Sequence, residues 1–516
     1  MNEITEPTTV WRQYEAGRDW KRRIGLYENA RRNERFYRGD QWRGGGDLPR
    51  PVFNVVRRVT DYLVSSAALG SVRITYTDDN LPFARNSREA EIIENGVKML
   101  TLNAAYRWEH ERLQSLVRRL LLDAALSGDG CVYCWWDGDK GEAGDWSGDI
   151  HTSAIDGMNI FPADVTLADI QSQEYVIVSG RSTLSALRAE ARAAGVPADL
   201  ILRIRPDESG DRPLFAGELG DVPAVTEPED APVTFLLRFH RENGFVVFEK
   251  VTRECVIRRV QTRCRLYPLA YFSWIPTKDC FHGTSPVTGL IENQKYVNRA
   301  FAMLMKHMTD SAFSKVIYDA SKIPEWTNEV GEAIAAVGSG NVADAVHLIE
   351  PGRLESGYLD VIGQAIALSK ELSGATETSL GNTAPTNTSA ILALRETSLQ
   401  TLQGVRTALS LCLEQMAAIW ADMTLAYCPD GRPLRTPAGF GRFDATRLRD
   451  ALLSVNVEIV DGASYSSAGT QAVLDELLRE GHISFVEYLE RVPDGIIPGR
   501  EALLRARTGE EAERVE

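Results

Sequence analysis

Apolar residues recur every three or four positions over two long stretches of the chain, and this spacing predicts two long α-helices. The first is predicted from Pro286 to Ala312, with Ser285 as its N-cap and the proline in the first turn, where its missing N–H breaks no hydrogen bond. The second is predicted over residues 390–428 and ends before Pro429. At 1.5 Å per residue the two helices would reach about 40 Å and about 58 Å. Helices of this length indicate a scaffold larger than a catalytic pocket requires.

Shorter patterns precede and follow these helices. Helical periodicity is found at residues 11–40, 85–127 and 353–376, whereas short runs of β-branched and aromatic residues predict strands. The predicted strands lie at residues 72–76, 131–136, 175–178, 234–239, 245–248, 315–318, 346–349 and 455–460. A loop is predicted after Pro429, and a helical tail is predicted from about Thr470. The sequence therefore predicts an α+β fold that is predominantly helical.

The charge of the chain narrows its possible functions. It carries 57 basic and 72 acidic residues, a net charge of −15. Sequence-specific DNA-binding proteins usually present a basic face, so this balance argues against that class. The excess of negative charge either keeps the protein in solution or lets it handle DNA without adhering to it. Residues 11–40 are nevertheless dense in arginine and aromatic side chains, and this arm could contact nucleic acid or dock on a neighbouring subunit.

The sequence also predicts where the protein resides. No run of about 18 apolar residues is present, and the residues after Met1 lack a basic patch followed by an apolar core, so neither a membrane span nor a secretory signal is expected. The seven cysteines are an odd and scattered set, which favours reduced thiols in an intracellular setting over a disulfide framework.

Signals for catalysis or metal binding are weak. Cys131 and Cys134 lie three residues apart in a predicted strand, so their side chains point to opposite faces and cannot share a metal. The histidines are dispersed, and no phosphate-binding loop or nucleophile elbow is found. The remaining candidate is a group of acidic residues, Asp123, Asp129, Asp137 and Asp139. They could bind a divalent ion or form solvated acidic turns. We expect no cofactor, no metal and no enzymatic activity.

Three groups of motifs resemble those of one family. The first comprises residues 35–42 (RFYRGDQW) and 54–63 (NVVRRVTDYL); the second comprises 272–274 (FSW), 282–286 (HGTSP) and 291–298 (IENQKYVN); the third comprises 477–484 (LLREGHIS) and 489–494 (LERVPD). In their order around the long helices they resemble the portal proteins of tailed bacteriophages, and those of long-tailed phages more than the largest ones of short-tailed phages. The resemblance covers nearly the whole chain.

The resemblance implies a division into wing, stem, clip and crown. The implied segments are a wing at 1–280, a first stem helix at 281–312, a clip at 313–352, a second stem helix at 353–376, a tunnel loop at 377–389, a long helix connecting wing and crown at 390–428, a returning wing strand region at 429–465 and a crown at 466–516. The uncharged loop residues that would face DNA are Asn382, Thr383, Thr386, Asn387 and Thr388. Without the resemblance, this loop reads as an ordinary linker between helices.

Two further features bear on the implied channel. Lys295, Arg299 and Lys306 lie off the apolar stripe of the first long helix. They either line the tunnel or form ion pairs between subunits with Glu292 or Asp310. Gly404 lies inside the second long helix, where glycine costs ~1 kcal/mol relative to alanine and permits a kink.

The resemblance implies a homo-oligomeric ring, usually of twelve subunits, at one vertex of a capsid. Double-stranded DNA would enter and leave through the tunnel without sequence recognition, while the terminase and later the head–tail connector would dock at the clip. The ring would also contact the major capsid and scaffold proteins, would form part of the virion after assembly in the host cytoplasm, and would contact no membrane. Two alternatives stay open: a metal-dependent nuclease that uses residues 123–139, and a capsid adaptor that encloses no DNA.

Overall fold

The structure is a computed structural model of the 516-residue chain. The residues that it describes are 6–44, 48–68, 71–78, 87–138, 140, 148–207, 231–312, 315–326, 334–338, 341–349, 357–372, 374, 402–428, 430–437, 439–448, 453–460 and 474–492.

Helices and strands are both well represented, which confirms the predicted α+β class. The helices are α1 (Pro7–Arg23), α2 (Leu26–Arg38), α3 (Val55–Ala67), α4 (Ser87–His110), α5 (Leu113–Ser127), α6 (Leu184–Ala193), α7 (Ala198–Ile201), α8 (Pro286–Ala312), α9 (Gly357–Leu372), α10 (Gln403–Tyr427), α11 (Ala445–Leu448) and α12 (Phe485–Arg491). The strands are β1 (Ser71–Asp78), β2 (Asp129–Asp137), β3 (Asp149–Asp156), β4 (Ile160–Pro162), β5 (Tyr175–Thr183), β6 (Pro232–Glu242), β7 (Phe245–Val251), β8 (Val256–Gln261), β9 (Leu269–Ser273), β10 (Lys315–Tyr318), β11 (Val346–Ile349), β12 (Arg432–Thr436), β13 (Gly439–Phe443) and β14 (Leu453–Val460).

The chain forms two compact units. The first comprises Met1–Ala68 and Tyr76–Val455, and the second comprises Leu69–Thr75 and Asn456–Glu516. In the first unit, β3, β2 and β9 form a three-stranded antiparallel sheet with β2 in the centre. Strands β4 to β8 form a five-stranded antiparallel sheet in chain order.

One buried apolar cluster joins the two sheets of the first unit. It contains Cys131 and Ile155 from the three-stranded sheet and Val178 and Leu237 from the five-stranded sheet. Helices α5 and α10 also pack on the three-stranded sheet. The central strand β2 is therefore held rigidly, and the residues at its start can position other parts of the chain.

The first predicted long helix is confirmed at both ends, because α8 runs from Pro286 to Ala312. Its predicted N-cap is confirmed as well, since Ser285 Oγ accepts a hydrogen bond from the Val287 N–H at 3.1 Å. Helices α9 and α10 lie within the predicted ranges 353–376 and 390–428.

Part of the predicted channel falls outside the described residues. This holds for the whole tunnel loop at 377–389 and for the start of the range predicted for the second long helix. Gly404 lies in the first turn of α10 as described, two residues after Leu402. The kink at this glycine therefore stays a prediction.

The helical region predicted at 85–127 is confirmed, whereas the stretch after Pro429 differs from the prediction. The predicted helical region at 85–127 is two helices, because Arg112 adopts a left-handed backbone conformation (φ 51°) between α4 and α5. The prediction of a loop after Pro429 is wrong in part, since β12 and β13 pair there as an antiparallel hairpin. Met99 packs against Gly441 of this hairpin, and a Cβ at that position would lie 2.2 Å from Met99 Cε, so a larger residue would displace the end of the methionine side chain.

In the second unit, helix α12 is fixed at its start by a capping box. The Oγ of Ser484 accepts from the Glu487 N–H at 3.2 Å, and the Glu487 carboxylate accepts from the Ser484 N–H at 2.9 Å. Leu474, Tyr488 and Leu489 form a buried apolar cluster beside it. The helical character predicted for the C-terminal tail is thus confirmed for these residues.

None of the helices that the structure describes is long and apolar enough to span a bilayer.

Candidate functional site at the base of the long helix

The start of α8 is packed tightly against the end of α5 and the start of β2. Ser285 Oγ, besides capping α8, donates a hydrogen bond to the Ala125 carbonyl. Gly283 approaches Gly128 so closely that a Cβ on Gly128 would lie 2.5 Å from the Gly283 carbonyl oxygen. Gly128 also has a positive φ of 104°, which favours glycine. These contacts fix the position from which the long helix projects.

Four ionisable side chains lie beside this contact, and we call them the ionisable cluster: Lys21, Asp129, Asp156 and His282. Asp129 and His282 are only 0% and 2% exposed, and His282 Nδ1 donates to Asp129 Oδ2 at 2.6 Å. The other Asp129 oxygen accepts from the Gly283 N–H at 2.7 Å. Trp20 of α1 stacks on the His282 ring with 5.8 Å between ring centres. The first residue of β2 therefore binds the segment that leads into α8.

Lys21 reaches the same interior from α1. Its Nζ donates to the carbonyls of Met158 and Ile160, both at 2.6 Å, and lies 3.9 Å from the centre of the Phe161 ring. Burying an ammonium group is unfavourable unless it is well paired. Lys21 thus attaches the N-terminal helix to the turn before β4.

Burial changes the proton affinity of these groups. It lowers the pKa of Lys21 to about 7, although the nearby carboxylates of Asp129 and Asp156 act in the opposite direction. Burial raises the pKa of Asp156 to about 7 and lowers the pKa of His282. The cluster therefore holds groups that change charge near neutral pH.

Replacing Lys21 with methionine is expected to change how stability depends on pH. Lys21 has a pKa of about 7 in the folded protein, whereas an exposed lysine titrates near 10.5. Between these pH values the unfolded chain binds more protons, so this lysine makes the free energy of unfolding rise with pH. We expect the wild type to gain stability relative to Lys21→Met from about pH 7 to about pH 10, measured by urea denaturation.

The control for this experiment is Lys322→Met, since the Lys322 side chain is 41% exposed. The stability difference between wild type and this control should stay nearly constant over the same pH range. A constant difference for Lys21→Met as well would contradict the proposed burial of an ionisable amine.

A second buried group, which we call the amide cluster, consists of Gln41, Asn54, Gln294 and Asn298. Asn298 Nδ2 donates to Gln41 Oε1 at 2.7 Å, and Gln294 Nε2 donates to Asn298 Oδ1 at 2.9 Å. Gln41 Nε2 in turn donates to Asn54 Oδ1 at 3.1 Å. Two residues on consecutive turns of α8 are thereby joined to the segments after α2 and before α3.

The amide cluster also caps α3. The first N–H groups of a helix have no partner within the helix. Gln294 Oε1 accepts from the N–H groups of Val55 and Val56 at 2.9 and 3.2 Å, and Asn54 Oδ1 accepts from the Arg57 N–H at 3.0 Å. A side chain of α8 therefore satisfies backbone groups that α3 leaves unpaired.

The arrangement indicates a positioning role for both clusters. Lys21, Asp129 and His282 are almost completely buried, so a substrate in solution cannot reach them. Gln41, Gln294 and Asn298 are buried as well. The side chains of both clusters form hydrogen bonds inside the protein. These bonds fix the position of α8 relative to the N-terminal helices and the three-stranded sheet.

The basic residues predicted on α8 lie outside both clusters. Lys295 pairs with Glu292 at 2.8 Å and Lys306 pairs with Asp310 at 3.7 Å, in both cases within α8, whereas ion pairs between subunits stay a prediction. Both pairs are exposed, and such pairs typically contribute no more than about 1 kcal/mol. Arg299 is exposed on the same helix.

The four acidic residues, for which the sequence allows both a divalent-ion site and solvated turns, do not form one group of solvated turns. Asp129 is buried against His282, so that expectation is wrong for this residue. Asp123 lies 3.7 Å from Arg119, and burial raises its pKa to about 6. Asp137 is the last residue of β2, and Asp139 lies outside the described residues. Within the described part of the chain, no group of three or more His, Cys, Asp or Glu side chains could hold a metal ion.

Asp129 and His282 are singled out by the sequence, but their contact with each other and their proximity to Lys21 and Asp156 are not predicted by it. Gln41, Asn54, Gln294 and Asn298 all stand in the motifs described above. Their hydrogen bonds link positions that are up to 257 residues apart in the chain. No local pattern could reveal such pairs. No protein-family model matches this sequence, and no curated protein matches it significantly.

Proposed function

We propose that this chain is the subunit of a bacteriophage portal, a ring that forms the channel for DNA packaging and ejection at one vertex of the capsid. In this proposal, α8 and α9 form the stem, the region between them forms the clip, and the mixed α+β region before α8 forms the wing. The amide cluster is the first observation that supports this proposal, because its residues come from two groups of portal-like motifs and form hydrogen bonds with one another at the base of α8.

The observation that carries the proposal is the exposed apolar surface of the two stem helices. Helices α8 and α9 pack on each other. Their exposed apolar side chains include Tyr296, Met303, Met305, Leu359, Val361, Leu368 and Leu372. Three of these, Val361, Leu368 and Leu372, are spaced so that they share one face of α9. Exposed apolar patches on projecting helices mark contacts with other subunits, and in a ring each helix pair would pack against the next.

The region between the stem helices supports a docking role. Strands β10 and β11 pair as an antiparallel hairpin within the predicted clip. Ile317, Tyr318 and Val337 are exposed in this region. We propose that this surface binds the terminase during packaging and the head–tail connector afterwards.

The remaining assignments follow from the ring. Lys295, Arg299 and Lys306 are the proposed tunnel-lining residues of the stem, and residues 377–389 are the proposed loop that faces DNA. The second unit would contribute the crown, and the outer surface would contact the major capsid and scaffold proteins. The protein would act as a passive conduit in the virion rather than as an enzyme.

Deleting residues 381–388 distinguishes the portal from a capsid adaptor that encloses no DNA. We expect the deletion variant to assemble like the wild type but to lose DNA packaging in a packaging assay with terminase and empty capsids, because the segment that contacts moving DNA is removed. An adaptor would package normally after this deletion, which would contradict the proposal. Incubation of the wild type with DNA and Mg²⁺ tests the nuclease alternative, and we expect no cleavage.

A further inference from the structure

The N-terminal helices differ in charge from the rest of the chain. Residues 1–68 carry 13 basic and 9 acidic residues, a net charge of +4, whereas the whole chain carries −15. The remaining residues therefore carry −19. A basic region on an acidic protein indicates a surface that meets a partner of negative charge.

Helix α2 concentrates this charge on one face. Leu26, Ala30 and Phe36 are buried on the side that packs into the protein. Arg31 and Arg38 are exposed, and Arg35 lies between them at the edge of the same face. The helix is thus amphipathic, with arginine forming its outer side.

The outer face of α2 borders a groove of about 890 Å³. The basic residues that line it are Arg22, Arg31, Arg32, Arg35, Arg38 and Arg43. The acidic residues that line it are Glu28, Glu34 and Asp40. Arg38 pairs with Glu34, and Arg35 Nε lies 3.6 Å from Asp40. Six arginines and three acidic residues line the groove, and Arg22 also pairs with Asp19 beside it at 3.1 Å, so an excess of about two positive charges is left.

The start of α8 lies near α2 and carries charges of both signs. Lys295 Nζ lies 6.0 Å from the centre of the Phe36 ring at the end of α2. The Lys295 ammonium, with smaller contributions from Arg32 and Arg299, lowers the pKa of Glu292. Charges from both helices therefore act on Glu292, while Lys295 is paired with Glu292 and is not part of the groove lining.

The groove is held in place before any ligand binds. Asn33, on the buried face of α2, donates to the Leu126 carbonyl at 2.8 Å and to Thr288 Oγ1 at 3.0 Å. The end of the helix is closed by Gly39 in a left-handed conformation (φ 93°). A rigid backbone loses little conformational entropy when its side chains bind a ligand.

From this arrangement we propose that the α2 groove binds the phosphate backbone of double-stranded DNA without sequence preference. Arg31 and Arg38 are seven residues apart, which is about 10 Å along the helix. Duplex DNA presents one phosphate per roughly 3.4 Å of axis on each strand, so about three phosphates match this span. The lining contains arginine and no lysine, and the planar guanidinium group is well suited to bidentate phosphate binding. This contact is additional to passage through the proposed channel and does not depend on ring formation.

The test compares two double variants with the same change in net charge. Arg31→Glu/Arg38→Glu alters the groove, and Arg192→Glu/Arg258→Glu alters two exposed arginines on α6 and β8. Binding of each protein to a fluorescently labelled duplex of random sequence is measured by anisotropy between about 50 and about 200 mM NaCl. Thermal melting of each variant checks that it is folded, and native mass spectrometry reports assembly separately.

We expect the groove variant to bind DNA at least about tenfold more weakly at low salt. The slope of log Kd against log salt concentration should be smaller by about 2, because each lost phosphate contact reduces the slope by about 0.9. The control variant should stay within about twofold of the wild type. No binding by the wild type at low salt, or equal weakening in both variants, would overturn the proposal. So would a groove variant that binds DNA normally but loses self-association, because the partner would then be the acidic surface of a second copy.

Discussion

Replacing Met303 and Leu368 with glutamate is expected to abolish ring assembly while leaving the subunit folded. These side chains are 64% and 55% exposed on α8 and α9, so a single subunit gains little from them. In a ring they would be buried against the next subunit, and burying each apolar side chain contributes about 1.5–3 kcal/mol. Losing both would weaken each contact by about 3–6 kcal/mol, or roughly 10²- to 10⁴-fold in the association constant. Burying two carboxylates would weaken it further.

Native mass spectrometry and thermal melting together check this prediction. Surface substitutions of this kind usually change stability by less than about 0.5 kcal/mol, so the melting temperature of the subunit should hardly change. The control is Leu202→Glu, because Leu202 is 68% exposed at the end of α7, outside the stem helices. That variant should assemble normally. Assembly of the stem variant at wild-type concentrations would show that these helices do not form the contact.

Replacing Gln294 with leucine is expected to destabilise the fold by about 3–5 kcal/mol. The amide of Gln294 accepts from the N–H groups of Val55 and Val56 and donates to the Phe53 carbonyl and to Asn298 Oδ1. Leucine is similar in size but leaves these buried groups without partners, at about 1–3 kcal/mol each where relaxation cannot repair the loss. Urea denaturation at a single pH measures the effect.

The matched control for Gln294→Leu is Gln114→Leu, since Gln114 is exposed on α5. That substitution should change the free energy of unfolding by less than about 0.5 kcal/mol. The variant Gln294→Glu should be intermediate, because a carboxylate can still accept from Val55 and Val56 but can no longer donate. A loss below about 1 kcal/mol for Gln294→Leu would mean that the amide cluster does not hold α8 in place.

The elements predicted best from the sequence are those in which local signals agree. In helix α8, a serine cap and a proline in the first turn mark the start, at Ser285 and Pro286, and the apolar periodicity marks how far the helix extends. Strands β5 to β7 carry continuous apolar residues because they lie in a sheet that is buried over much of its area.

Other elements depend on contacts that are distant in sequence. The sequence predicts a loop where β12 and β13 pair, because glycine and arginine hide the strand pattern, and the contact of Gly441 with Met99 cannot be read from the sequence. Asp129 resembles an exposed turn residue in the sequence, yet it is buried by His282, which lies 153 residues away.

The contacts of the candidate site could not be predicted from the sequence for the same reason, because they join residues that are far apart in the chain. Residues 1–68 contain 13 basic side chains, and nothing local distinguishes the buried Lys21 from the exposed arginines around it. Its burial depends on the carbonyl oxygens of Met158 and Ile160, which belong to a different part of the first unit. The four amide residues were visible as motifs, but their hydrogen bonds appear only when α2, α3 and α8 are packed together.

The most direct test of the portal proposal is the mass of the assembled protein under native conditions. The subunit has a mass of 57.2 kDa. We predict a closed particle near twelve times that mass, measured by native mass spectrometry, with ring-shaped classes of matching symmetry in cryo-electron microscopy. A stable monomer under all solution conditions would contradict the proposal that α8 and α9 form the wall of a channel.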